Sequence, residues 1–240
     1  MLQAILFDLD DTLLRNKMDS FLPHYFKLLG EYAAALMDKE RFMQEMLMGT
    51  RAMINNNDPT LTNREVFWRV FQQRTGLDPA IVEPYFTQFY QEQFPSLQEI
   101  TEPVPGAVDL VEWAFAKGFQ VVVATNPLFP RIAIEERLRW ANLPVSHYPF
   151  ALVTCYEEMH AAKPNQAYYH EILARIHCRP DQALMVGDDQ QNDILPPTAL
   201  GMASFWLHDG PDSEYDSPTR GHGSLADLAI CLQAGWLQVD

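Results

Sequence analysis

The sequence predicts an α/β fold, a Rossmann-like parallel sheet core with an inserted all-helical cap domain, and three observations predict it. Short apolar runs alternate with helical patterns at the start of the chain and again through its second half. The stretch from about 16 to 100 breaks the alternation and carries helical patterns only. Several apolar runs end in polar residues, where an open α/β sheet presents its ligand-binding edge.

The elements follow in order. Residues 3–8 (QAILFD) are a short apolar run closing on a carboxylate, and read as a buried strand at the very start of the chain. Residues 21–37 and 39–53 place apolar side chains at three- and four-residue spacing, as amphipathic helices do. Thr62-Asn63-Arg64-Glu65 is a capping-box pattern ahead of Val66, Phe67, Val70 and Phe71. Asp78-Pro79 offers an N-cap with proline at the first helical position, before an apolar stretch at 81–94. The chain then re-enters the sheet at Pro103-Val104-Pro105-Gly106. Strands are expected at 119–125 (FQVVVAT), 183–187 (ALMVG) and 203–207 (ASFWL), with a weaker one at 150–153. Helices are expected at 107–117, 131–141, 166–176 and 224–233, the last capped by Ser224. The polar segment 208–223 reads as a loop. The expected division is a core of 1–15 with 101–240 and a helical cap of 16–100.

Composition narrows the function classes. The chain has 240 residues, 48% hydrophobic and 20% charged, which supports a packed core and argues against disorder. Asp plus Glu number 32 against 17 Lys plus Arg, a net charge of −15. Nucleic acid and anionic membranes call for a basic face, so neither is an expected partner. No apolar run nears the roughly 18 residues that span a bilayer, and no basic segment precedes an apolar one at the N-terminus. Three scattered cysteines (Cys155, Cys178, Cys231) fit a reducing, cytoplasmic setting. Oligomeric state leaves no trace in the sequence.

Chemistry concentrates in Phe7-Asp8-Leu9-Asp10-Asp11-Thr12-Leu13. Asp8 closes a strand, and Asp10 returns to the same face if the backbone stays extended. Two neighbouring carboxylates at a strand end serve structure poorly, because they repel and must be desolvated. They serve well as metal ligands, or as a nucleophile beside an acid/base. Further along, Thr125 closes a strand, Lys163-Pro164 follows, and Gly187-Asp188-Asp189-Gln190-Gln191-Asn192-Asp193 follows another strand.

With these four segments in this order, residues 4 to about 207 resemble the haloacid dehalogenase superfamily, specifically its phosphatase branch with a helical cap inserted after the first motif. Asp8–Thr12 match its Asp-x-Asp-x-Thr motif. Thr125 matches its strand-end Ser or Thr, Lys163 its lysine, and Gly187-Asp188 with Asp193 its acidic motif. The resemblance implies an aspartyl-phosphate mechanism with Asp8 as nucleophile and Asp10 as acid and base. It assigns the Asp8 side chain, the Asp10 backbone carbonyl and Asp188 to Mg²⁺, a hard cation suited to oxygen ligands. Thr125 and Lys163 would hold the phosphoryl group, with Asn126 as a further candidate. Asp193 would support the metal site and Lys163, while Asp189 is balanced between supporting the site and being a solvated turn residue.

Charge supports a metal. Asp8, Asp188 and Asp193 are anionic before a phosphate ester arrives, and one unit-charge pair at 4 Å is worth about 4 kcal/mol at an effective dielectric of 20. Lys163 alone cannot balance that; Mg²⁺ would reverse the local sign.

Asp10 separates activities within the family, since halide leaves without a proton and an alkoxide does not. The implied activity is hydrolysis of a small phosphorylated metabolite. The alternatives are a phosphomutase with the same core residues, or a silent binding or regulatory member. Basic residues of the inserted region (Arg15, Lys17, Lys27, Arg51, Arg64, Arg69) could meet a second anionic group, although helix polar faces explain most of them. The acidic run 188–193 lacks the glycine and distal glutamate of a calcium loop. The Gly221-His222-Gly223-Ser224-Leu225-Ala226 fingerprint lacks a following strand for dinucleotide binding. The histidines show no metal-ligand spacing, and the methionines at 43, 46, 48 and 53 read as adaptable packing.

Overall fold

Four consecutive apolar residues form strand β1 (Ala4–Phe7), and all four side chains are buried, as the centre of a sheet covered on both faces requires. The computed structural model describes residues 1–208 and 221–236. After β1 the chain folds back on itself: the amides of Leu13 and Leu14 both donate to the Leu9 carbonyl at 2.9 Å. Asp11 takes a left-handed conformation there (φ 54°), which aspartate tolerates better than most side chains.

A two-residue strand β2 (Leu14–Arg15) then pairs antiparallel with β3 (Glu102–Pro103). Between the two the chain is helical: α1 (Met18–Tyr32), α2 (Lys39–Ile54), α3 (Asn63–Thr75) and α4 (Pro79–Glu92), with short 3-10 turns at Ala33–Ala35 and Phe94–Ile100. The first helix ends earlier than the periodicity suggests, because the alanine run tightens into one of those turns. Local chemistry sets the other ends. Asp38 accepts from the amides of Glu40 and Arg41, Thr62 and Glu65 close a reciprocal capping box, and Gly76 stops α3 at φ 76°. Helices α2 and α3 approach so closely that a Cβ on Gly49 would lie 2.6 Å from the Phe67 ring.

The second half alternates α5 (Ala107–Ala116), β4 (Gln120–Val123), α6 (Arg131–Trp140), β5 (Leu152–Val153), α7 (Gln166–Arg175), β6 (Ala183–Gly187), α8 (Leu195–Ala199), β7 (Ala203–Leu207), β8 (Gly221–Gly223) and α9 (Leu225–Gln233). Six strands make one parallel sheet in the order β5-β4-β1-β6-β7-β8. Side-chain alternation divides its two faces. Ala4, Leu6, Val122 and Met185 pack with Tyr168, Tyr169 and Ile172 of α7. Ile5, Phe7, Val121, Val123 and Val186 pack into the other core, with Leu110 of α5, Leu138 of α6 and Leu228 of α9.

One expectation needs correction. The segment 208–223 reads as loop, yet Gly221–Gly223 forms strand β8 beside β7. Glycines carry no strand propensity; the open edge of β7 supplies the partner. Residues 209–220 of that segment lie outside the described residues. No helix among the described residues is long and apolar enough to cross a membrane.

Candidate active site

Strand order reverses beside β1: the chain runs outward from β1 through β4 to β5, then crosses to β6 on the other side of β1, and this leaves a crevice at the carboxyl edge. Residues just beyond these three strands (Asp8, Thr125 and Asp188) line one cavity of about 1150 Å³ that reaches into the helical insertion. Asp10, Asn126, Lys163, Asp189 and Asp193 line it as well, so the candidate catalytic, phosphate-binding and metal residues all border one space.

At its floor a single ammonium serves two carboxylates. Lys163 Nζ donates to Asp8 Oδ1 at 2.7 Å and to Asp193 Oδ1 at 2.6 Å, and all three residues are at most 8% exposed. Burial pulls the Lys163 ammonium toward neutrality, but Asp193 and Asp8 outweigh it and hold its pKa well above the ordinary value. Asp8 is pushed well above the carboxylate range, first by burial and then by Asp193, Asp10 and Asp188, which together outweigh the attraction of Lys163. Burial also raises Asp193. The floor therefore carries more negative charge than Lys163 can neutralise.

The carboxylate oxygens of Asp8, Asp188 and Asp193 lie within 4.8 Å of one another. Burial, followed by the charges of Asp193 and Asp11, pushes Asp188 up to about 7. A crowded, all-oxygen donor set with excess negative charge fits a hard divalent cation. Gly187 makes this crowding possible, because a Cβ there would lie 2.2 Å from Asp193 Oδ2.

Asp193 reaches the floor through one turn of π-helix, Gln190–Ile194. Asp189 holds that turn: its carboxylate accepts from the amides of Gln191 (2.8 Å) and Asn192 (3.1 Å). Its own amide donates to Asp193 Oδ2 at 3.2 Å. Of the two readings for Asp189, the contacts are those of a residue that shapes the turn beneath the site.

Asp10 stands apart from the Lys163 cluster. Its carboxylate accepts from Arg137 Nη1 at 2.9 and 2.7 Å and from Asn16 Nδ2 at 2.8 Å. Arg137 is 1% exposed, and its guanidinium lies 4.6 Å from the Phe129 ring centre. Neither Arg137 nor Asn16 stands out in the sequence motifs. Arg137 did leave a signal: it shares the buried stripe of α6 with Ala133, Ile134 and Leu138, where a charge is out of place unless paired.

Thr125 is 2% exposed, and its carbonyl accepts from Thr154 Oγ1 (2.7 Å) and the Tyr168 hydroxyl (2.9 Å), which fixes the turn after β4. Asn126 follows, its Oδ1 buried without a partner. Of the six basic residues of the inserted region singled out in the sequence, Lys17 alone lines the cavity.

This arrangement defines a class, and comparison with known proteins names it. The family model for haloacid dehalogenase-like hydrolases matches residues 2–201. The chain belongs to that family. It is 24% identical over 236 residues to the glyceraldehyde 3-phosphate phosphatase of Methanothermobacter thermautotrophicus, covering 97% of this chain and 95% of the relative. It is 27% identical over 231 residues to the ribulose-1,5-bisphosphate 5-phosphatase of Halopiger xanaduensis, covering 89% and 88%. Among solved structures it is similar to a HAD phosphatase of Thermococcus onnurineus (TM-score 0.59, 18% identity, 98% of both chains). It is also similar to the HAD-hydrolase YfnB of Bacillus subtilis bound to magnesium (TM-score 0.55, 22% identity, 97% of this chain and 99% of that one). At these identities the structural likeness speaks for the fold alone.

The raised Asp188 makes a pH prediction for the metal-free protein. Its folded value, about 7, lies above its ordinary 3.8. Between the two the folded state keeps a proton that the unfolded state has released, so rising pH favours unfolding. The melting temperature should fall as pH rises from about 4 through about 7, with the raised Asp8 and Asp193 acting in the same direction, and saturating Mg²⁺ should flatten the slope. A metal-free melting curve that rises steadily across that window would show that this carboxylate cluster does not govern it.

Proposed function

We propose that the chain is a Mg²⁺-dependent phosphatase that hydrolyses a small phosphorylated metabolite through an aspartyl-phosphate intermediate, with the helical segment 16–100 acting as its cap. The observation that carries the reading is Asp8 at the end of β1, bound by Lys163 at 2.7 Å on the floor of a cavity shared with Asp188 and Thr125. Asp8 attacks phosphorus and becomes the phosphorylated carboxylate. Lys163 neutralises charge on Asp8 and on the transferring group, and Asp193 keeps the ammonium in place. Thr125 and Asn126, on the turn held by Thr154 and Tyr168, bind phosphoryl oxygens. Asp10, aimed by Arg137 and Asn16, protonates the leaving alkoxide and then takes a proton from the attacking water.

Asp8, Asp188 and the Asp10 carbonyl would hold Mg²⁺, which supplies charge stabilisation of the transferring phosphoryl group. The metal of YfnB and the substrates named for the relatives support the reading.

The test is phosphate release from a generic aryl phosphate. Turnover is expected with Mg²⁺ and should fall to background in excess EDTA, returning when Mg²⁺ is restored. Turnover that is indifferent to EDTA would remove the metal from the mechanism.

A further inference from the structure

The cavity extends well beyond the phosphoryl site, and what lines the remainder bears on the leaving group. Above the floor the wall is aromatic: Tyr25, Phe67, Trp68, Phe86, Tyr90 and Phe129 face the same space. The hydroxyls of Tyr25 and Tyr90 meet at 2.7 Å, one donating to the other, so what these side chains chiefly offer is ring surface. Leu47 and Ile54, exposed by 53% and 39%, continue the apolar lining at the mouth.

Charge is distributed against a second anion. Among the described residues, ten carboxylates and four cations line the cavity, so by formal charge even a divalent metal leaves the balance negative. The cations are also engaged. Lys163 serves Asp8 and Asp193, and Arg137 serves Asp10 through Nη1, while its Nε and Nη2 are buried without a partner. Arg131 pairs with Glu135 and Glu158. Lys17 is exposed, and its charge acts on Asp11.

At the cap end stands Glu83. Burial raises its pKa, but hydrogen bonds from Arg64 and Tyr156 outweigh that and hold it below the ordinary carboxylate value. Ion-paired with the Arg64 guanidinium, Glu83 offers carboxylate oxygens that suit a hydroxyl or amine donor and gives an anionic group no partner.

We propose that the substrate is a phosphate monoester whose leaving group is a bulky aromatic or apolar alcohol without a second anionic group. Building on the phosphatase reading, this makes carboxylate-bearing phospho-acids and bisphosphates poor substrates. A two- or three-carbon acid would leave most of the cavity as water against aromatic rings, and among the described lining residues its second anion would find no cation without a carboxylate partner beyond the exposed Lys17.

Three primary alkyl esters of similar leaving-group chemistry separate the possibilities: naphthylethyl phosphate, glycerol phosphate and phosphoglycolate, each assayed with Mg²⁺. The expected kcat/KM for naphthylethyl phosphate exceeds that for phosphoglycolate by about a hundredfold, with glycerol phosphate between them. Trp68→Ala should shrink the ratio of naphthylethyl to glycerol phosphate by about tenfold. Binding of naphthylethanol and of glycolate, followed by calorimetry, gives a reading that needs no turnover. Naphthylethanol binding in preference to glycolate without turnover of any ester would uphold the cavity assignment and sink the phosphatase reading. Turnover of phosphoglycolate at least as fast as the naphthyl ester would overturn the inference and leave the phosphatase reading standing. Failure of all three esters and of naphthylethanol binding would overturn both readings.

Discussion

Replacing Asp8 by asparagine is expected to lower phosphate release by about a thousandfold or more, while leaving the folded protein at least as stable as before. Loss of the nucleophile removes the covalent step, and the amide oxygen cannot replace a carboxylate attacking phosphorus. Stability is the less obvious half. Asp8 is 8% exposed and its pKa lies well above the carboxylate range because burial and neighbouring acids penalise the charged form. At neutral pH an ionised Asp8 in the metal-free protein is therefore a source of strain, which the neutral, isosteric amide relieves. Lys163 keeps its partner Asp193 at 2.6 Å in the variant, so no ammonium is stranded. The two measurements are steady-state phosphate release and the melting temperature without metal. Substantial turnover by the variant would dismiss Asp8 as nucleophile, and a steep fall in melting temperature would show that its carboxylate supports the fold.

How much of this was legible in the sequence varies residue by residue. Asp8, Thr125 and Asp188 could be found because each follows an apolar run that forms a strand, and strand ends of a parallel sheet meet at one edge. Helix ends with their own capping chemistry, at Thr62, Asp78 and Ser224, were legible for the same local reason. Asp193 was legible through the resemblance, but Asp189 stayed between two readings, since its part depends on the π-turn that swings Asp193 under the sheet edge and leaves Asp189 as its cap. Nothing in the chain near Asn16 announced that its amide would reach Asp10 six residues earlier. Arg137 lay hidden among Arg131, Glu135, Glu136 and Arg139, which make α6 look like an ordinary charged helix. Only its coincidence with the apolar stripe separated it, and its partner lies 127 positions away in sequence. Strand β8 was illegible because its pairing is imposed by β7 and not by its own residues.

Lys163→Met is expected to destabilise the protein by about 3–5 kcal/mol at neutral pH, because it leaves Asp8 and Asp193 buried beside each other with no counter-charge. For a chain of this size that corresponds to a fall of about 10 °C in melting temperature. The sign with pH distinguishes the electrostatic cause from lost packing. In the wild type the Lys163 pKa is raised above its ordinary 10.5, so its stabilisation is fully present at neutral pH and is lost only as pH climbs through the higher folded value. In the variant, Asp8 and Asp193, whose pKa values are raised even with the lysine present, rise further. As pH falls they take up protons in the folded state, and the penalty of the unpaired charges fades. The gap in melting temperature between wild type and variant should therefore narrow markedly from pH 8 to pH 5, both without metal. A gap of constant size would assign the loss to packing of the lysine stem against its surroundings, such as the Tyr168 ring, whose centre lies 6.0 Å from Nζ.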